Sequence, residues 1–354
     1  MLLRTFKNTK FQPFRESSTR HNNVYVSGIQ PTGVAHLGNY FGFIKTWVHL
    51  QNGTNDASKF LAVVDLHAIT TGLPPPSTLK NNIVRMTASL LACGVDPDKT
   101  VLFQQSQIPE HCQLSWILGS LQTITQLQRL PQYKDKSKKY TKGQVPLGLV
   151  SYPVLQSADV LLYKGTHVPV GEDQSQHMNL LSDIAERFNF EYKTEYFPIP
   201  QMVKSSAPRI RSLKDPLQKM SKSDSSEFSR IDLSDESDIL LSKIKRGLTD
   251  TTSTISYDWE NRPGVSNLVS IYSAFTNLSP EDVVKNCKDL DTLGFKKHLY
   301  EIAEETLAPI RNRFNELCND EAYVWEILNK GSEKARNVAQ KNLYEIKKLV
   351  GFSE

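Results

Sequence analysis

The sequence predicts an α/β fold, a parallel sheet with helices on its faces followed by an α-helical C-terminal region. Three observations carry this. Short apolar runs alternate with helix-spaced stretches from Val24 to Phe188. One of these runs, Phe60 to Val64, is apolar throughout, as strands buried on both faces tend to be. Beyond Ser223 the strand-like runs stop and helical spacing dominates. At 354 residues the chain is also long for one core, so two domains are expected.

Val24 to Ser27 reads as a first strand that breaks at Gly28, and a Gly/Pro-rich turn leads to a helix over 38–50, with Ile44, Trp47 and Val48 on one face. Phe60 to Val64 is the second strand. After Pro74-Pro75-Pro76, Ser77 is expected to cap a helix carrying Ile83, Met86, Leu90 and Leu91, with Gly94 just past its end. Val101 to Phe103 is the third strand. Asp224 to Asp238, rich in Ser and Asp, reads as a loop. Ser279-Pro280-Glu281-Asp282 starts a helix, with a cap, an N1 proline and first-turn acids. Leu299, Ile302, Ala303, Ile310, Phe314 and Leu317 keep helical spacing, as do Val338, Leu343, Ile346 and Leu349. The expected division is a leader over 1–22, an α/β domain over 23–223 and a helical domain over 224–354.

Composition is that of a globular protein, 39% hydrophobic and 23% charged. No apolar run approaches the roughly 20 residues that span a bilayer, so no membrane insertion is expected. The leader holds Arg4, Lys7, Lys10, Arg15 and Arg20 against Glu16 alone, which accounts for the whole formal net charge of +4. Hydroxyl-rich and without a continuous apolar core, it reads as an organellar transit peptide, the alternative being a plain basic tail. Cys93, Cys112, Cys287 and Cys318 stand far apart, and the eight histidines show no ligand spacing. Neither a disulfide framework nor a structural metal is expected.

The common glycine-rich phosphate-loop signatures are absent. Instead the first strand runs into Gly28-Ile29-Gln30-Pro31-Thr32-Gly33, then His36-Leu37-Gly38-Asn39 at a helix start. Free backbone N–H groups there attract anions, and glycines let a ligand approach the backbone. Far downstream, Lys219-Met220-Ser221-Lys222-Ser223 offers two lysines three apart with interleaved hydroxyls, a clamp for polyphosphate charge. Either element alone is an ordinary turn or a solvated basic loop. In this order and placement, the pair resembles the class I aminoacyl-tRNA synthetases.

Other segments resemble the tryptophan-specific branch: Ser27 to Gly33, Gly148 to Pro153, Ser157 to Tyr163, Val168 to Gln174 followed by His177, and Lys347 to Phe352. The resemblance runs from about Val24 to Phe352. It implies a Rossmann-like catalytic domain, ATP as substrate with Mg²⁺, L-tryptophan and tRNA(Trp) as partners, and a homodimer in the mitochondrial matrix. His36, Asn39, Lys219 and Lys222 would be catalytic. ATP would be held by Gln30, His36, Gly38, Asn39, Gly171, Glu172, Asp173 and Ile210, with Lys219, Met220, Ser221, Lys222 and Ser223. Asp159, Tyr152, His67 and Gln132 would border the amino acid, with Lys134 and Lys136 helping with substrate charge. Where bacterial members carry methionine, this chain has Gln156.

Asp159 also stands out physically. An acid on an otherwise apolar helix is costly to bury unless matched to a donor, and an indole offers one donor and no acceptor. As a purely structural acid it would need a Lys or Arg nearby. His67 reads equally well as a core histidine. Lys285, Lys288, Lys296, Lys297, Arg311 and Arg313 in the helical region are candidates to face tRNA phosphates. The competing readings are a tyrosine-specific relative, a catalytically retired RNA-binding protein and a small-molecule adenylyltransferase. Asn39 and the Gly171-to-Gln174 run favour the tryptophan branch over the first. Intact His36, Asn39 and paired lysines speak against the second, and the helical region against the third.

Overall fold

The computed structural model describes residues 23–352 except 55, 142–143, 172–173, 205–206, 223 and 225. The expected transit peptide, Glu172, Asp173 and Ser223 lie outside the described residues. Five parallel strands form one sheet: β1 (Val24–Ile29), β2 (Ser58–Val63), β3 (Val101–Gln104), β4 (His167–Pro169) and β5 (Gln201–Val203), in the order β3-β2-β1-β4-β5. The chain builds outward from β1 to one edge, then returns to build the other. The β1/β4 boundary is thus a topological switch point, where open α/β sheets bind ligands beyond the strands' carboxyl ends.

The first helix is wound unevenly. α1 (Leu37–Asn39) passes through a π-helical turn (Tyr40–Ile44) into α2 (Lys45–Gly53), where a single regular helix was expected. Short α3 (Asp65–Ala68) follows β2. Next, α4 (Pro76–Ala92) has Pro75 at its N-cap with no side-chain cap. Ser77 therefore lies inside the first turn rather than capping it, and proline at N1 needs no donor partner there. Gly94, at φ +99°, follows the helix end as expected. Then come α5 (Glu110–Gly119), α6 (Ile124–Gln128), α7 (Pro131–Ser137), α8 (Leu147–Leu161) and α9 (Ser175–Glu191). The C-terminal region is helical: α10 (Ser237–Lys245), α11 (Pro263–Thr276), α12 (Pro280–Asn286), α13 (Thr292–Asn319) and α14 (Glu321–Val350). Ser279 caps α12 by accepting from the Asp282 N–H at 3.1 Å.

Alternate strand residues feed two cores, as the pleat requires. Tyr25, Ile29, Leu61, Val63 and Leu102 join the core beneath α4 and α13, while Val26, Phe60, Ala62, Val64 and Phe103 join the one beneath α5, α8 and α9. Helix α14 belongs to both. Val324, Ile327 and Leu328 lie in the first core, and Ala335, Ala339, Leu343 and Ile346 in the second. It crosses the β3 edge at Gly331, where a Cβ would stand 1.8 Å from the Leu102 carbonyl oxygen. Glycine is what permits this approach, which covers an otherwise open strand edge. No helix among the described residues is long and apolar enough to cross a membrane.

Candidate active site

Two segments almost two hundred residues apart in sequence meet at the end of β1. Residues 35–37 pair antiparallel with 231–233: the Leu37 N–H donates to Ile231 O and the Leu233 N–H to Ala35 O, both at 2.9 Å. This carries the 219–222 loop over the turn after β1. Lys222 Nζ donates to Thr32 O at 3.1 Å and to Thr32 Oγ1 at 3.3 Å. The loop is anchored from behind. The Met220 N–H donates to Ile210 O, both side chains are buried, and Asn267 on α11 clamps Arg211 and Ser212 with three hydrogen bonds. Met220 therefore holds the loop by its side chain while Lys222 reaches the turn.

His36 and Asn39 form a capping box. The Gly38 N–H donates to His36 Nδ1 at 3.0 Å, and the His36 N–H donates to Asn39 Oδ1 at 3.2 Å. Any Cβ at position 38 would meet the imidazole at 2.8–2.9 Å, so glycine is required beside this ring. Burial, reinforced by Lys222, Lys219 and Arg230, lowers the His36 pKa to about 3. The ring is therefore neutral at physiological pH. With Nδ1 already accepting, its proton sits on Nε2, leaving that atom a hydrogen-bond donor. Gln30 is exposed at the end of β1 and Gly171 is half-buried beyond β4, so both lie at the switch point.

The second group of residues gathers around Tyr152 on α8. Tyr152 Oη donates to Gln132 Oε1 at 3.0 Å and lies 3.1 Å from His177 Nε2. Lys136 Nζ sits 4.9 Å above the Tyr152 ring, and His67 meets that ring edge-on at 6.3 Å. Burial raises the Tyr152 pKa to about 12 and lowers that of Lys136. Lys134 is exposed. Gln156 Nε2 approaches Gln174 Oε1 at 3.4 Å.

Asp159 is buried on α8, but its partners are neither Lys nor Arg. It accepts from His67 Nε2 at 2.8 Å, His111 Nδ1 at 2.7 Å and Gln105 Nε2 at 2.7 Å. Burial alone would raise its pKa; the bonds from His111 and His67 outweigh that and hold the carboxyl well below the usual range. Gln105 and His111 escaped the sequence reading, as did Thr32 and Arg230. The run of polar residues Gln104 to Gln107, directly after an apolar strand, was the available signal.

Two candidate tRNA contacts are buried. Lys296 Nζ donates to Lys245 O, Gly247 O and Thr249 Oγ1, holding the C-terminal end of α10. Arg311 pairs with Glu304 and donates to Asp235 O. Lys285, Lys288, Lys297 and Arg313 are exposed.

With this geometry in place, the family model described as tRNA synthetases class I (W and Y) matches residues 18–308. The chain belongs to that family. The mitochondrial tryptophan–tRNA ligase of Caenorhabditis elegans is 48% identical over 338 residues, covering 95% of this chain and 93% of its own. Among solved structures, the tryptophanyl-tRNA synthetase of Mycoplasma pneumoniae has a TM-score of 0.84 at 31% identity, covering 94% of this chain and 98% of its own. That of Campylobacter jejuni, complexed with ADP and tryptophan, has a TM-score of 0.77 at 33% identity, covering 93% and 99%. The parallel sheet of this class I synthetase is thus the Rossmann-like fold expected from its sequence.

Proposed function

We propose that this protein is a tryptophan–tRNA ligase that activates L-tryptophan with ATP and loads it onto tRNA(Trp). The observation that carries the reading is the reach of Lys222 to Thr32, in the turn that leads into His36–Asn39, in a chain that also buries Asp159 among His67, His111 and Gln105. The tryptophan carboxylate attacks the α-phosphorus of ATP, a new O–P bond forms, and pyrophosphate leaves. A carboxylate is ionised at neutral pH, so no general base is needed. The site aligns two anions and stabilises charge growing on phosphate. His36 contributes its Nε2–H, and Asn39, Lys219 and Lys222 contribute further donors, with Mg²⁺ arriving on ATP. Gln30, Gly38, Gly171, Glu172, Asp173, Ile210, Met220, Ser221 and Ser223 complete the nucleotide site. In the second step the ribose hydroxyl at the tRNA terminus attacks the acyl carbon and AMP leaves.

Asp159 reads the indole N–H, with Tyr152, His67 and Gln132 around it. A pocket built on that hydrogen bond rejects phenylalanine by roughly 10⁴–10⁵. The division into a leader (1–22), a catalytic domain (23–223) and a helical tRNA-binding domain (224–354) belongs to the same proposal. So does action in the mitochondrial matrix, supported by the basic, hydroxyl-rich leader and by the mitochondrial relative. A homodimer is what the family resemblance implies, and it belongs to the same proposal. ATP–pyrophosphate exchange with tryptophan, tyrosine and phenylalanine in parallel tests the activity. Exchange driven by tyrosine, or independent of any amino acid, would defeat it.

A further inference from the structure

Asp159 cannot act as a free reader, because most of its acceptor capacity is already used. An ionised carboxylate accepts only, so both imidazoles must donate to it. Oδ1 receives Gln105 Nε2 and His111 Nδ1, which fills it; among the described residues Oδ2 receives His67 Nε2 alone and keeps one lone pair. His111 donates from Nδ1, so in the neutral ring Nε2 is an acceptor, and it receives the Tyr163 hydroxyl at 2.9 Å. The donor chain therefore runs one way, from Tyr163 through His111 to Asp159. Gln105 is fixed as well. Its Oε1 accepts the Leu66 N–H at 3.2 Å, so its amide cannot flip without losing both bonds. His111 and Gln105 are wholly buried, so no water replaces these partners.

We propose that Tyr163, His111 and Gln105 are positioning residues for amino-acid selection, orienting Asp159 so that one Oδ2 lone pair faces the substrate's ring donor. This rests on the reading of Asp159 as the residue that recognises the indole. The ligand selected is an aromatic amino acid with a ring N–H; an isostere without one leaves a buried lone pair unmatched.

The test is ATP–pyrophosphate exchange by the full chain with tryptophan and with β-(3-benzothienyl)alanine, in which sulfur replaces the ring N–H. Tyr163→Phe keeps the ring that stacks on Phe60 at 4.5 Å and removes only the hydroxyl. His111→Leu removes the donor to Oδ1, whereas His111→Asn can restore one at the same position. Both Tyr163→Phe and His111→Leu should lower the tryptophan-to-isostere ratio of kcat/KM by about tenfold or more, through KM for tryptophan with kcat little changed. His111→Asn should recover most of the ratio. If both substrates lose equally, or the ratio stays within about twofold of wild type while Asp159→Asn collapses it, the relay is overturned and the reading of Asp159 stands. If wild type itself does not discriminate, or Asp159→Asn leaves the ratio intact, the underlying reading is what fails.

Discussion

Replacing Lys222 by arginine tests whether the loop acts on the triphosphate as a charge. Burial pushes the Lys222 ammonium down to about 8, with Asp232 pulling it back up and Arg230 and Arg85 lowering it further. The charged form is the low-pH form. It predominates below pH 8 and is lost above, so at pH 9 only about a tenth of the free protein carries it. If only the ammonium clamps the departing phosphates, kcat/KM for ATP, which reports ionisations of the enzyme before ATP binds, falls about tenfold per pH unit beyond 8. A guanidinium stays charged throughout that range. Lys222→Arg should therefore lower activity somewhat at every pH, because the planar head fits the site differently, yet abolish the alkaline limb. The assay is exchange at saturating tryptophan with ATP varied from pH 7 to 10. An arginine variant with the same alkaline limb as wild type would refute the assignment of that limb to Lys222. Unimpaired activity in Lys222→Ala would remove the clamp altogether.

Three further outcomes follow from the same geometry. His36→Gln preserves a donor near the Nε2 position and should retain much more exchange activity than His36→Ala, which should lose on the order of 10²-fold in kcat; equal losses would mean the imidazole only packs. Gly331→Ala drives a methyl into the Leu102 carbonyl oxygen and should destabilise the fold by about 1–3 kcal/mol in urea titration, despite alanine's better helix propensity; an unchanged midpoint would show that α14 does not press on β3. Lys288→Ala with Lys297→Ala should spare pyrophosphate exchange while weakening tRNA charging and flattening its salt dependence, so an unaltered salt slope would exclude these lysines as phosphate contacts.

The readable parts of the fold were those whose burial is written into continuous composition. β1, β2 and β3 stood out as apolar runs, and α12 announced itself through Ser279 and Pro280. β4 and β5, three residues each, are too short to show any pattern, and no local feature encodes the strand order. The two nucleotide motifs were legible separately. Their meeting was expected from the resemblance; the contacts that make it were not legible, because they depend on pairing residues 35–37 with 231–233 and on the reach of Lys222 to Thr32. The partners of Asp159 are hidden for the same reason: His67, Gln105 and His111 come from three elements, each far from position 159 in sequence.

The buried cations show where sequence reasoning could have gone further. Lys296 lies three and seven residues before the buried Leu299 and Ala303, and Arg311 lies four after Leu307 and three before Phe314. Both sit on the apolar stripe of α13, where a charge is tolerated only if its hydrogen bonds are met internally. The same argument singled out Asp159 on α8. Applied evenly, it separates Lys296 and Arg311, committed to carbonyls and to Glu304, from Lys297 and Arg313, each one or two positions further around the helix and exposed. A charge on an apolar stripe therefore marks a residue with an internal partner. Whether that residue is structural or functional depends on whether an acceptor or donor is left over: the ammonium of Lys296 has all three protons engaged, while Asp159 keeps one lone pair.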